Sequence, residues 1–140
     1  MYNTKKKDGG PMMFYDKEHM DRYFDVLSKM CNNNEKHASF AYLATSVKAP
    51  IHECFDFEKD EIKADMLECD WIRSESSSVL KLAKNLWDDT NPANVSEVFA
   101  SVSRKYSEIM FYAVQMRYGY ISYLYCAGKD AWHKKERARG

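Results

Sequence analysis

Apolar side chains recur every third or fourth position along most of this chain, and that spacing limits the folds open to it more than any other feature. Met20, Tyr23, Phe24, Leu27 and Met30 stand at i, i+3, i+4, i+7 and i+10. With 3.6 residues per turn these five share one face of a helix. Asp16 precedes them with a side chain suited to the first free backbone N–H groups, and "CNNN" at 31–34 follows with residues that favour turns. Asn34 then opens a second helix to about Val47, with Phe40, Leu43, Ala44 and Val47 inward. Pro50 suits the first turn of a short third helix whose inner side is Ile51, Cys54 and Phe55.

Residues 56–71 read as a loop plus one helical turn, with Ile62, Met66 and Leu67 inward. The next helix carries Val79, Leu82, Ala83 and Leu86 on one face, and "DDTNP" stops it because a residue before proline avoids the helical region. From Asn91 and Pro92 onward, Val95, Val98, Val102, Tyr106, Ile109, Ala113 and Met116 keep helical phase for over twenty residues. Two adjacent helices seldom hold phase across a join, so one long helix near 92–118 is predicted, ending at Gly119; a break near Ser103 is the alternative. Ile121, Leu124 and Tyr125 suggest one more short helix. No alternation of period two calls for a sheet. The expected fold is all-α, a compact single-domain bundle of five to seven helices.

At 140 residues the chain suits one domain. Three lysines at 5–7 and two glycines mark 1–12 as a flexible leader, 13–128 as the helical domain and 129–140 as a basic flexible tail. Residues 1–12 carry +2 and residues 129–140 carry +3; the whole sums to zero, so the stretch between carries −5. An acidic body disfavours phosphate backbones and leaves only the basic tails for weak nucleic-acid contact. No run approaches the ~20 apolar residues of a membrane helix, and the N-terminus has no apolar segment behind its charge, so a cytoplasmic protein without a membrane partner is expected.

Chemistry-bearing patterns are sparse. Cys31, Cys54, Cys69 and Cys126 form no C-x-x-C pair and read as reduced, buried thiols. His19, His37 and His52 begin three successive helices, where capping and surface roles are expected rather than a shared metal. No nucleophile elbow is present, and no catalytic residue, cofactor or metal is assigned. The exception in appearance is "WIRSESSSVLKLAKNLWDD", where Arg73, Ser74, Ser76, Ser77 and Lys81 surround a helix start. Free N–H groups and the helix dipole there favour an anion, so a phosphorylated small molecule or nucleotide held at Arg73 and Ser74–Ser78 is the alternative function. Serines also cap helices, and no glycine lets a backbone approach phosphate closely, so capping is the preferred reading.

Several phrases together, "FYDKEH", "FDFEKDEIKADML", a tryptophan three residues before the serines, "LAKNLW" and "AVQMRYGY", occur in one order from Phe14 to Tyr118. In this the chain resembles an uncharacterised family, a domain of unknown function, of small proteins from Gram-positive bacteria and their phages and mobile elements. The positions that match are Phe14, Asp16, His19, Phe55, Asp56, Phe57, Ile62, Trp71, Ser74, Leu82, Asn85 and Leu86. The leader before Met12 and the twenty residues after Tyr118 fall outside the resemblance. It implies a small accessory protein with no established activity. With ten tyrosines and an acidic body, such a chain is expected to bind a host macromolecule, an anti-defence role such as anti-CRISPR inhibition included, and self-association stays open.

Overall fold

Asp16 turns the chain into α1 (Lys17–Lys29) by accepting the His19 amide at 2.8 Å, as its position before the apolar stripe predicts. The computed structural model describes residues 2–4, 12–68 and 72–121. His19, Tyr23, Val26 and Leu27 form the buried face of α1, with Met20 and Phe24 half-buried beside them. Its outer face carries the ion pairs Lys17–Asp21 and Asp25–Lys29 at 2.9 and 3.1 Å, exposed and worth a few tenths of a kcal/mol each, ~0.3–0.5.

Asn34 caps α2 (Glu35–Ser46), accepting from His37 N at 3.1 Å. This helix is not one-faced as the sequence suggests: every residue from His37 to Ser46 is buried. It runs through the middle of the molecule, packed by α1 on one side and by α4 (Ser74–Trp87) and α6 (Arg104–Arg117) on the others. Its hydroxyls tolerate burial because they bond back to the helix, Thr45 Oγ1 to Ala41 O at 2.6 Å and Ser46 Oγ to Leu43 O at 2.6 Å.

After Pro50 comes α3 (Ile51–Cys54), and the expected loop at 56–71 is partly a hairpin. Two strands are involved, β3 (Phe55–Asp56) and β4 (Glu61–Ile62), with Phe55 opposite Ile62. The turn between them puts Asp60 at φ 57, a left-handed conformation that aspartate tolerates better than most residues. The predicted helical turn follows as a 3-10 turn at Met66–Glu68. A second pair joins β1 (Tyr2–Thr4), inside the expected leader, to β2 (Met12–Phe14) in antiparallel register, Tyr2 opposite Phe14. Six α-helices among the described residues otherwise make the fold the helical domain that the periodicity predicts.

The single long helix of 92–118 is corrected to two, α5 (Val95–Ala100) and α6. Asn94 rather than Asn91 is the cap, accepting from Glu97 N at 3.0 Å, and Val95 is 70% exposed instead of inward. The break falls at Ser101–Ser103 for a reason supplied by α4. Glu75 Oε2 takes the Ser103 amide at 2.6 Å, Ser78 Oγ meets Ser101 Oγ at 2.6 Å, and Ser103 itself caps Tyr106 N. A helix through this point would withdraw that amide from Glu75. Val98, Ile109, Met110, Ala113 and Met116 all remain buried, so the joint preserves the phase that made the stretch read as continuous. Glu75→Ala is therefore expected to lower the unfolding free energy by about 1 kcal/mol in urea titrations followed by circular dichroism.

Gly119 ends α6, as predicted. At φ 81 it lets Tyr120 N reach Gln115 O at 2.8 Å while Gly119 N reaches Met116 O at 3.3 Å, the paired bonds of a left-handed helix terminus. Trp71, Cys69, Cys126 and the stretch from Leu124 to the basic tail lie outside the described residues.

Candidate functional site

The serine cluster is built differently from its sequence reading. Arg73, not a serine, occupies the N-cap of α4, and no side chain caps that helix. Ser74 and Arg73 are exposed, Ser76 and Ser77 half-buried, and Ser78 turns inward to Ser101. Glu75 stands in the same first turn and adds a carboxylate where an anion would sit. Lys81 is seven residues on from Ser74, about 10 Å along the axis. It lines a cavity of about 260 Å³ with Leu67, Lys84, Asn91 and Pro92. Ser74, Ser77 and Lys81 thus share one side of α4 at i, i+3 and i+7, while Ser76 lies on another and Arg73 precedes the helix.

The histidines diverge as well. His19 is 1% exposed, correcting the surface role expected of it. Its Nδ1 accepts the Tyr15 amide at 2.8 Å, so Nε2 carries the proton and donates to Tyr42 O at 2.8 Å. Burial drives its pKa down to about 4, against smaller opposing effects of the Tyr42 carbonyl and the Asp16 charge. His37, also buried, lies between Asn34 and Asp60, whereas His52 is exposed beside Phe57. Cys54 is buried as expected, but Cys31 is exposed.

Three chain ends do converge. The last turn of α4 supplies Asn85, Trp87, Asp88 and Asp89; the last turn of α6 supplies Arg117, Tyr118 and then Gly119; the first turn of α2 supplies Asn34, Glu35 and Lys36. Together they line two adjoining cavities of about 450 and 460 Å³ that share Lys36, Arg117 and Tyr118. Both volumes fall within the size range of ligand and side-chain pockets, ~300–1,000 Å³.

Each wall is held from behind. Trp87 is wedged edge-on against His37, Phe40 and Phe55, with ring centroids 4.8, 5.8 and 5.4 Å away, and Lys36 Nζ lies 4.4 Å over its ring. Arg117 donates Nε to Leu86 O at 2.7 Å, answering the open carbonyl end of α4 with a cation. Its guanidinium carbon is 5.5 Å from the Tyr118 ring, which is 62% exposed, and Tyr120 beyond is 84% exposed. On the rim, Asp88 is held below the usual carboxylate range by the Thr90 amide and hydroxyl, which outweigh its desolvation, with help from the charge of Lys36. The loop behind it is pinned by Asn85 Nδ2 to Asn91 O at 2.8 Å.

These features define a small helical domain with an open cleft of two aromatic rings and two cations, its rim acidic. No group of three or more His, Cys, Asp or Glu is placed to hold a metal among the described residues, and none of its helices there is long and apolar enough to cross a membrane. The chain belongs to a family of unknown function, DUF6075, whose model matches residues 10–130. The match therefore continues past Tyr118, where the resemblance seen in the sequence was expected to stop. No curated protein and no solved structure matches the chain.

Sequence reasoning missed the cleft. Its signals were present in "NLWDD" and "RYGY", each an aromatic at a helix end followed by turn-forming residues, but nothing local to either shows that they meet.

Proposed function

We propose that this protein is a binding module that seats a partner protein in the cleft bordered by Lys36, Trp87, Arg117 and Tyr118. The observation that supports this most is the exposure of Tyr118 beside a braced tryptophan and arginine. Tyrosine, tryptophan and arginine dominate binding energy at protein interfaces because they bring large area at low entropic cost together with a polar handle. A pre-braced platform loses little freedom when a partner arrives. The resemblance to small proteins of phages and mobile elements suggests that the partner is a host protein met in the cytoplasm. The −5 charge of residues 13–128 suits a protein that takes the place of nucleic acid on a defence complex such as a CRISPR effector.

Affinity capture from a bacterial lysate tests the reading, using the wild type, a Lys36→Glu/Tyr118→Ala double variant and a Lys17→Ala control on the outer face of α1. Truncating an interface anchor costs 2 kcal/mol or more, about 30-fold in affinity. The wild type and the control are expected to retain one protein that the double variant loses, with far-UV circular dichroism unchanged. Equal capture by all three, or none above background by the wild type, contradicts the reading.

A further inference from the structure

The ring of His37 is 3% exposed and both its nitrogens face oxygen atoms. Nδ1 is 2.8 Å from Asn34 Oδ1 and Nε2 is 2.9 Å from Asp60 Oδ1. The identity of the Asn34 atom is fixed by the fold, since the same Oδ1 accepts the His37 amide at 3.1 Å as the cap of α2; an amide turned the other way would leave that N–H facing a donor. Both nitrogens must then donate, and an imidazole donates from both only when it carries two protons. A neutral ring would set a lone pair against either Asn34 or the Asp60 carboxylate.

Asp60 belongs to the turn between β3 and β4 and is otherwise held by Asn32 Nδ2 at 2.5 Å. Its burial raises the carboxyl pKa, but bonds from Asn32 and His37 and the charges of His37 and Lys36 outweigh that and keep it below the usual range. The other elements around the imidazole bring Phe55 from β3 and Trp87 from the end of α4, neither of which titrates in this range. Glu35 and Lys36 precede it in the first turn of α2, and Asp88 interacts with Lys36 from the α4 end. Asp60 is thus the ionisable group in contact with the ring.

We infer that protonation of His37 latches the β3–β4 turn onto the start of α2, and that the same proton braces Trp87 in the cleft. Loss of the proton leaves one of the two contacts unmade and takes the charge out of the other, so the hold on the turn weakens and the ring against which Trp87 packs loosens. That this matters for binding rests on the cleft reading of the preceding section; the latch itself does not.

A two-dimensional NMR titration of the full chain from pH 5 to 8 tests it, following the His37 ring protons, the backbone amides of Asp56–Glu61 and the Trp87 indole N–H. In the wild type these are expected to move together with one midpoint, in proportion to His37 protonation. Asp60→Asn keeps a residue that accepts the left-handed turn but removes the charge, and His37→Gln removes the titrating group. In both variants the turn amides are expected to stay flat over this range while the rest of the spectrum keeps its dispersion. Turn amides that stay flat in the wild type overturn the proposal, as does a transition that persists in Asp60→Asn. A wild-type transition abolished by Asp60→Asn upholds the latch even where the capture experiment fails, and that combination would sink the cleft reading alone.

Discussion

Phe14→Ala is expected to lower the unfolding free energy by about 3–5 kcal/mol, a large share of the ~5–15 kcal/mol by which domains are stable. Phe14 is fully buried at the end of β2, where its ring meets His19, Tyr23, Phe24 and Tyr42 with centroids 5.1, 5.7, 6.1 and 5.8 Å away. Removing it deletes one partner from every ring in this cluster. The surroundings cannot close the gap easily, because Tyr42 is tied by its hydroxyl to the Met13 carbonyl and His19 is bonded at both nitrogens. Phe111→Ala supplies the comparison: that ring is 60% exposed, and its loss is expected to cost less than about 0.5 kcal/mol. Urea unfolding of the two variants reads the difference directly. A Phe14→Ala cost under about 1 kcal/mol would show that β2 contributes little to the core.

The second large effect is a dependence of stability on pH set by His19. Its folded pKa of about 4 lies below the unfolded value of 6.5, so between these values the unfolded chain binds more protons than the native one. Stability therefore rises with pH across that interval. Above pH 6.5 the ring is neutral in both states and contributes no pH dependence; from there down to about 4 the penalty for burying an uncharged ring grows, and below 4 it is complete. A gap of about 2.5 units corresponds to roughly 3 kcal/mol. Chemical denaturation at pH 7, 5.5 and 4 measures it, and His19→Gln, which can still accept from Tyr15 N and donate to Tyr42 O, is expected to flatten this slope. A wild-type slope that survives in His19→Gln would place the acid sensitivity elsewhere.

Much of the fold was legible because helix caps and apolar phase are local properties. Asp16, Asn34 and Gly119 act where their chemistry predicts, since each needs only its own neighbours within four residues. Three features escaped for physical reasons. Strands of two residues, such as Phe55–Asp56, are too short to display alternation. The break at Ser103, which the sequence offered only as the alternative to one long helix, depends on Glu75, 28 residues away, and costs no change of phase. The burial of α2 on all sides was hidden because Ser39, Thr45 and Ser46 resemble a solvent-facing side, whereas their hydroxyls are satisfied by their own helix. His19 was misplaced on the same grounds: a polar ring at a helix start reads as a surface residue until its two partners, the Tyr15 amide and the Tyr42 carbonyl, are seen.

The candidate site was less legible than the fold. It is assembled from residues near 36, 87 and 118, and only the packing of α4 and α6 around α2 brings those helix ends together. The serine cluster shows the converse, for a run of serines close in sequence supplies no side-chain cap, and one of them, Ser78, turns inward to Ser101.

Photo-crosslinking from single positions tests the contact surface most directly. With benzoylphenylalanine at position 118, at 111 on α6, and at 17 on the far side of α1, irradiation in bacterial cells that make the protein should yield one discrete adduct from position 118 and none from position 17. Adducts that are equal from 17 and 118, or absent from 118 altogether, would contradict the assignment of the cleft as the place where this protein meets its partner.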